Sequence, residues 1–199
     1  VTTWSLQGLW LLPIIVLVLT PLAYVFARLT KQATAHRIKD KRILLTLPLA
    51  FLFLAGLAQK LPHLLGNGRM VAQEVINGIS WKTAFLLFVL KALVVLLTLW
   101  AGAYGGTLTP SFALGMAGAA LFTLAFGLES PSTILLIGAV CFLTVTLKAP
   151  CSATGLVIGF TGQGLDALPY LLLTAFLTYG LTQRLDRIMG RKLKESSNR

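Results

Sequence analysis

What this chain has least of is charge, and negative charge above all. Only 12% of its 199 residues are Asp, Glu, Lys or Arg, about half of what a soluble domain carries. The acidic residues are Asp40, Glu74, Glu129, Asp166, Asp186 and Glu195. All fall in stretches that read as loops, turns or the tail, so no carboxylate stands inside an apolar segment as a proton relay needs. Neither a paired-carboxylate spacing nor a Ser/His/Asp arrangement is present, and the chain does not read as an enzyme. His36 lies in a basic loop and His63 beside Pro62, where a solvated or interfacial ring is the plain reading. Cysteine is equally scarce. Cys141 and Cys151 have the spacing of neither a metal site nor a redox pair, and their apolar or small neighbours predict two buried, inert thiols. Nothing calls for a cofactor. The chain opens Val-Thr-Thr with no basic region ahead of a small-residue cleavage site, so its first apolar stretch reads as a span rather than a signal peptide.

What is abundant is apolar surface. The chain is 56% hydrophobic with a mean hydropathy of +0.83. That composition predicts an all-α polytopic integral membrane protein, because a backbone in lipid must satisfy its polar groups internally. The net charge of +11 would suit nucleic acid if it were spread over one face, but it is not. Arg28, Lys31, Arg37, Lys39, Lys41 and Arg42 cluster in one stretch, and Arg184, Arg187, Arg191, Lys192, Lys194 and Arg199 in another. Both flank apolar segments, the pattern that marks cytoplasmic loops. The reading is a membrane domain over 1–183 and a basic cytoplasmic tail over 184–199, in contact with anionic lipid head groups and not with nucleic acid.

Along the chain, Val1–Ala27 reads as a first span with Pro13 and Pro21 as possible kinks, and 28–42 as the basic loop. Ile43–Gln59 is a second span. Lys60–Ser80 is polar and lies on the opposite side. Trp81–Ala101 is a third span, with Ser80 as its N-cap and Trp81 as an interfacial anchor. Lys82 can snorkel, whereas Lys91 is deep. Pro110–Phe126 is rich in Gly and Ala, and Gly115, Gly118 and Ala119 invite a close helix neighbour. Thr133–Leu147 and Cys151–Gly162 are short apolar helices separated by Lys148-Ala149-Pro150, and Ala167–Gln183 is the last apolar segment. The short segments suggest re-entrant or strongly tilted helices.

The informative stretch is Ala92–Leu128, which contains no charged side chain and is nearly twice the length of about 20 residues that one span needs. In its middle stands Gly105-Gly106-Thr107-Leu108-Thr109-Pro110. Two glycines and a proline predict that one helix stops and another starts, with the break at membrane depth, where irregular backbone is tolerated only if it is buried in protein or lines a cavity. The new helix is expected to begin at Pro110, where a missing N–H is harmless. Its first amides lack intrahelical partners and the helix dipole adds partial positive charge. Gly105 and Gly106 can take positive φ and expose further amides without a Cβ in the way, and Thr107 and Thr109 add hydroxyls. The result is an anion nest. No Lys or Arg lies within the motif, so partial charges alone would hold the anion, loosely enough to release it. From the motif alone a second reading stands beside this one, a Gly-Pro hinge that only lets helices cross.

The motif and its neighbours resemble the second half of the CLC family of chloride channels and proton/chloride exchangers. Leu61-Pro62-His63-Leu64-Leu65-Gly66-Asn67-Gly68 is similar to that family's Leu-Pro loop with a glycine-rich turn. Gly105-Gly106-Thr107-Leu108-Thr109-Pro110, continued by Phe112-Ala113-Leu114-Gly115, is similar to its Gly-Gly-Ile-Phe-Ala-Pro filter. Lys148-Ala149-Pro150 resembles Arg-Ala-Pro, and Val157-Ile158-Gly159-Phe160-Thr161 stands in place of Val-Leu-Glu-Met-Thr. The resemblance implies a backbone chloride site in which Thr107 and Leu108 occupy the positions whose amides face the anion, while Gly105, Gly106 and Pro110 shape the turn. The chain departs from the family in several places. The Gly-Ser-Gly-Ile-Pro and Gly-Arg-Glu-Gly-Pro segments of the first half are absent, Gly159 replaces a glutamate, and Tyr179 lies too early to supply the family's tyrosine hydroxyl.

The expectation is therefore chloride transport through a backbone-amide filter, as one inverted repeat of a CLC-type channel or transporter in a bacterial-type inner (plasma) membrane. The implied partners are a small anion, membrane lipid, and a second copy or a first-half CLC partner. Two rivals stand: a non-conducting membrane subunit or remnant lacking the first half of the pore, and a transporter of an unrelated broken-helix family.

Overall fold

The computed structural model describes residues 9–60, 77, 78, 80–127 and 132–197, with no strand among them. Among the described residues seven α-helices follow a short 3-10 turn at Leu9–Leu11: α1 Leu12–Ala35, α2 Ile43–Lys60, α3 Trp81–Trp100, α4 Leu108–Ala125, α5 Ser132–Leu147, α6 Pro150–Thr161 and α7 Leu168–Ser197. Among the described residues four stretches are long and apolar enough to cross a membrane: Leu9–Ala35, Trp81–Trp100, Leu108–Ala125 and Leu165–Arg191. The all-α polytopic reading holds.

The centre of the fold is α5. Every residue from Thr133 to Val145 is buried, as a helix that is apolar on all sides requires. It packs most extensively on α4, with α1, α6 and α7 around it, while α3 covers α4 and α1. The close approach predicted for Gly115 has Gly138 as its partner. A Cβ on Gly115 would collide with the Gly138 carbonyl, and a Cβ on Gly138 would collide with the Gly115 carbonyl and sit 2.5 Å from the Ala119 Cβ. Gly118 faces Leu19 and Phe88. Small residues thus let two backbones touch.

The outer faces are greasy. α2 exposes Leu44, Leu45, Leu49, Phe51, Leu52 and Phe53. An apolar patch of that size is a liability in water and the ordinary outer face of a protein in lipid.

Helix boundaries follow local chemistry. The Ser80 hydroxyl accepts from the Thr83 amide, the N-cap the sequence predicts. Pro13 falls in the first turn of α1, and Pro21 lies inside it. α6 opens with Pro150 and closes on Gly162 at φ 64, the left-handed C-cap that glycine favours. Lys148 takes φ 55 between α5 and α6, an uncommon backbone for a residue with a Cβ.

Several sequence expectations are corrected. α1 continues to Ala35, so Arg28 and Lys31 sit on a helix and not in a loop. The basic stretch from Arg184 is helical: α7 runs unbroken through it to Ser197, which places Asp186 on a helix. Cys141 is buried, but Cys151 is exposed. The Leu61–Gly68 landmark, His63, Glu74 and Glu129 lie outside the described residues.

Candidate functional site

α3 ends in a tight turn. Gly102 takes φ 115, and its amide donates to the Leu99 carbonyl. A Cβ there would meet the Ile43 side chain and stand 2.9 Å from the Ile38 carbonyl, so glycine is required at this position. Gly105 and Gly106, by contrast, do not adopt positive φ, and a Cβ on either would meet nothing within 4 Å. The unusual backbone sits three residues earlier than the sequence suggested, because the reversal follows directly on the last turn of α3.

The next helix begins at Leu108, not at Pro110. Thr107 is its N-cap, without a side-chain capping bond, and the first intrahelical bond runs from the Ser111 amide to the Thr107 carbonyl at 3.0 Å. The amides of Thr107, Leu108 and Thr109 therefore precede that bond and have no intrahelical acceptor, and Pro110 removes the fourth donor. Ser111 is fully buried, and its hydroxyl pairs with that of Thr146 at 2.9 Å. This contact pins the start of α4 against the end of α5.

Gly105, Gly106, Thr107 and Leu108 line a cavity of about 680 Å³. Its opposite wall is the C-terminal third of α1, and Thr146 and Leu147 of α5 close one side. Lys31 and Arg37 also line it. The motif contains no cation, as its sequence shows, but the fold brings two to the same space. Two hydrogen bonds explain how Arg37 gets there: the Ile38 amide donates to the Trp100 carbonyl at 3.1 Å, and the Thr46 hydroxyl donates to the Ala101 carbonyl at 3.1 Å. They fasten the α1–α2 connection to the end of α3. The Arg37 guanidinium then stacks on the Tyr104 ring, 4.0 Å from its centroid. The break consequently faces the basic end of α1 rather than its middle.

The helix ends meeting here carry opposite partial charges. The N-terminus of α4 is positive, and the C-termini of α1 and α5 are negative. Lys31 and Arg37 suit the latter. With the orphan amides of α4 they leave the cavity short of negative charge.

Beside this cavity lies a smaller one of about 300 Å³, sharing Ala27, Lys31 and Thr146 with it. Asp186 of α7 organises it. One carboxylate oxygen accepts from the Tyr24 hydroxyl at 2.8 Å, and the other pairs with the Lys148 ammonium. Arg28 donates to the Tyr24 hydroxyl at 3.1 Å. One carboxylate thus ties α1, the α5–α6 turn and α7 together. Asp186→Ala is expected to lower the stability of the chain by about 1–2 kcal/mol, two charge-assisted bonds discounted for partial exposure. Thermal unfolding in detergent checks this, and an unchanged midpoint contradicts it.

All six motif residues, Gly105 to Pro110, lie on this one turn. Reading the sequence missed Lys31, Arg37, Tyr104 and Thr146 around it. Tyr104 adjoins the motif and was within reach, but no spacing in the sequence pairs Gly105 with Arg37. Among the described residues no group of three or more His, Cys, Asp or Glu side chains could hold a metal ion.

Comparison with known proteins points in one direction. The family model described as voltage gated chloride channel matches residues 1–183. The chain is 28% identical over 184 residues to the H(+)/Cl(-) exchange transporter ClcA of Vibrio campbellii (strain ATCC BAA-1116), an alignment covering 84% of this chain and 38% of that protein. The chain thus spans about two fifths of the length of the relative it matches.

Proposed function

The chain belongs to the voltage-gated chloride channel (CLC) family, and from that premise we propose that it carries the second-repeat half of a chloride pathway, with the anion held by the backbone amides of Thr107 and Leu108. The observation that carries this reading is the start of α4: three orphan amides beside a cavity with two cations on its wall and no carboxylate among the residues that line it. A partly dehydrated chloride accepts hydrogen bonds from amides without a formal ion pair, which keeps its release fast. Gly105 and Gly106 leave the approach open because no side chain stands over it. Thr109 and Pro110 complete the first turn that holds those amides in place.

Lys31 and Arg37 raise the local anion concentration at the mouth rather than coordinate the anion. The membrane is the inner (plasma) membrane, with the ends bearing Arg37 and Arg184 on the cytoplasmic side. The complete pathway needs a first-repeat partner or a second copy. No cofactor takes part, and chloride is the cargo.

The test is chloride efflux from liposomes containing the purified chain, with an ionophore to dissipate voltage. Efflux well above that of empty liposomes, lost in Gly106→Val, is the expected result for a self-paired pore. The alternative is a non-conducting membrane subunit. It predicts no efflux, with chloride binding absent as well as transport. Binding without efflux assigns the site to this chain and conduction to an assembly with a first-repeat partner or a second copy.

A further inference from the structure

The cavity before the Gly105–Leu108 turn is far larger than chloride requires. At about 680 Å³ it falls among pockets that take small organic ligands, roughly 300–1,000 Å³. A water occupies about 30 Å³ of liquid, so a single chloride would leave nearly all of that space to solvent. Its lining is specialised. Lys31 is an exposed ammonium, and Thr34, Thr107 and Thr146 add hydroxyls. Arg37 is half-buried with its face stacked on Tyr104. Contact with the ring holds the guanidinium at the cavity wall, while its terminal N–H donors are not used by that contact. The Arg37 Nε is buried and has no hydrogen-bond partner among the described residues, and such an unfilled donor is costly. The nearest carboxylate in the adjoining cavity, Asp186, is already engaged by Tyr24 and Lys148, so it does not neutralise Arg37.

We propose that this cavity binds a phosphate group, clamped by the Arg37 fork and the Lys31 ammonium, from either an anionic lipid head group or a soluble polyphosphate. A planar, pre-oriented fork matches two phosphate oxygens at once. Lys31 supplies a second, movable charge, and the Thr107 hydroxyl on the same lining is a donor for a remaining oxygen. A phosphate accepts more hydrogen bonds than a halide and fills more of the space. The site shares its cavity with the amides of Thr107 and Leu108 but needs only the two cations, so its test does not depend on chloride binding.

The test uses the full chain in nanodiscs of phosphatidylcholine alone, titrated with inorganic pyrophosphate by calorimetry. Saturable binding is expected. Arg37→Gln is expected to weaken it at least tenfold and Lys31→Gln severalfold. Lys39→Gln, which removes a charge from the same connection outside the cavity, is expected to leave it unchanged. Repeating the titration with phosphatidylglycerol in the disc separates the two sources. If the lipid abolishes pyrophosphate binding, head groups hold the site. If it does not, soluble phosphates do. The proposal is overturned if the wild-type chain in phosphatidylcholine shows no pyrophosphate binding, or if Lys39→Gln weakens binding as much as Arg37→Gln, which would reduce the effect to diffuse charge.

Discussion

Gly115→Leu is expected to abolish folding of the chain, or to lower its stability by more than about 3 kcal/mol. Overpacking a core costs about 1–3 kcal/mol when side chains can shift. Here what blocks the new Cβ is backbone: the Gly138 carbonyl, the Gly138 carbonyl carbon and the Ala139 Cα at 2.7 Å. Two helices would have to separate along the most extensive contact in the molecule, and α5, buried through its whole middle, has nowhere to go. The control is Gly155→Ala on α6, where a Cβ meets nothing within 4 Å. That change is expected to be neutral or to stabilise by about 0.5–1 kcal/mol, because glycine is costly inside a helix. Detergent-solubilised yield, a monodisperse elution profile and the unfolding midpoint read the contrast. A Gly115→Leu chain as stable as Gly155→Ala would mean that α4 and α5 do not touch as described.

Gly106→Val is the second large effect, and it is one of function rather than stability. The Cβ at Gly106 points at no atom within 4 Å, and the residue has no left-handed φ to lose. The fold should therefore survive with an unchanged unfolding midpoint. Gly106 lines the cavity next to Thr107 and Leu108, so the isopropyl group takes up the space an anion needs to reach the amides and screens their N–H bonds from it. Chloride binding measured by calorimetry is expected to weaken at least tenfold, which corresponds to about 1.4 kcal/mol. Gly106→Ala, with one methyl, should fall between Val and the wild type. Unchanged chloride affinity in a folded Gly106→Val chain would remove these amides from the site.

These two glycines show which parts of the site sequence can reveal. Gly115 was legible as a packing residue because Gly, Gly and Ala recur along one apolar helix, a pattern that means close approach whatever the partner. The partner, Gly138, was not legible, since nothing in its own segment pairs it with position 115. Gly106 was correctly placed in an open turn, but the expected positive φ belongs to Gly102. Sequence marks that a chain must reverse near a glycine cluster. Which glycine takes the strained φ depends on how far the preceding helix runs, and that is set by contacts of α3 with Ile38, Ile43 and Thr46 from the other side of the break.

The start of α4 makes the same point over a shorter range. Proline at 110 suits any of the first helical positions, so its presence fixed the start only to within a turn. The Ser111–Thr146 hydroxyl pair and the burial of Ser111 decide that the helix opens at Leu108.

By itself the sequence determined the solvent this protein lives in, the helical class, the place of the break, and most helix boundaries to within a few residues, though not the far ends of α1 and α7. All of these are local properties of the chain: the length of apolar runs, caps, prolines, and charges at run ends. Only the tertiary structure decided what faces the break. It brought Lys31 and Arg37 into a cavity whose motif carries no cation, and it made Asp186, read from the sequence as part of the tail, the tie between three elements. The physical reason is that electrostatic and steric partners act through space across tens of residues of chain, and no periodicity along the chain encodes a contact of that separation.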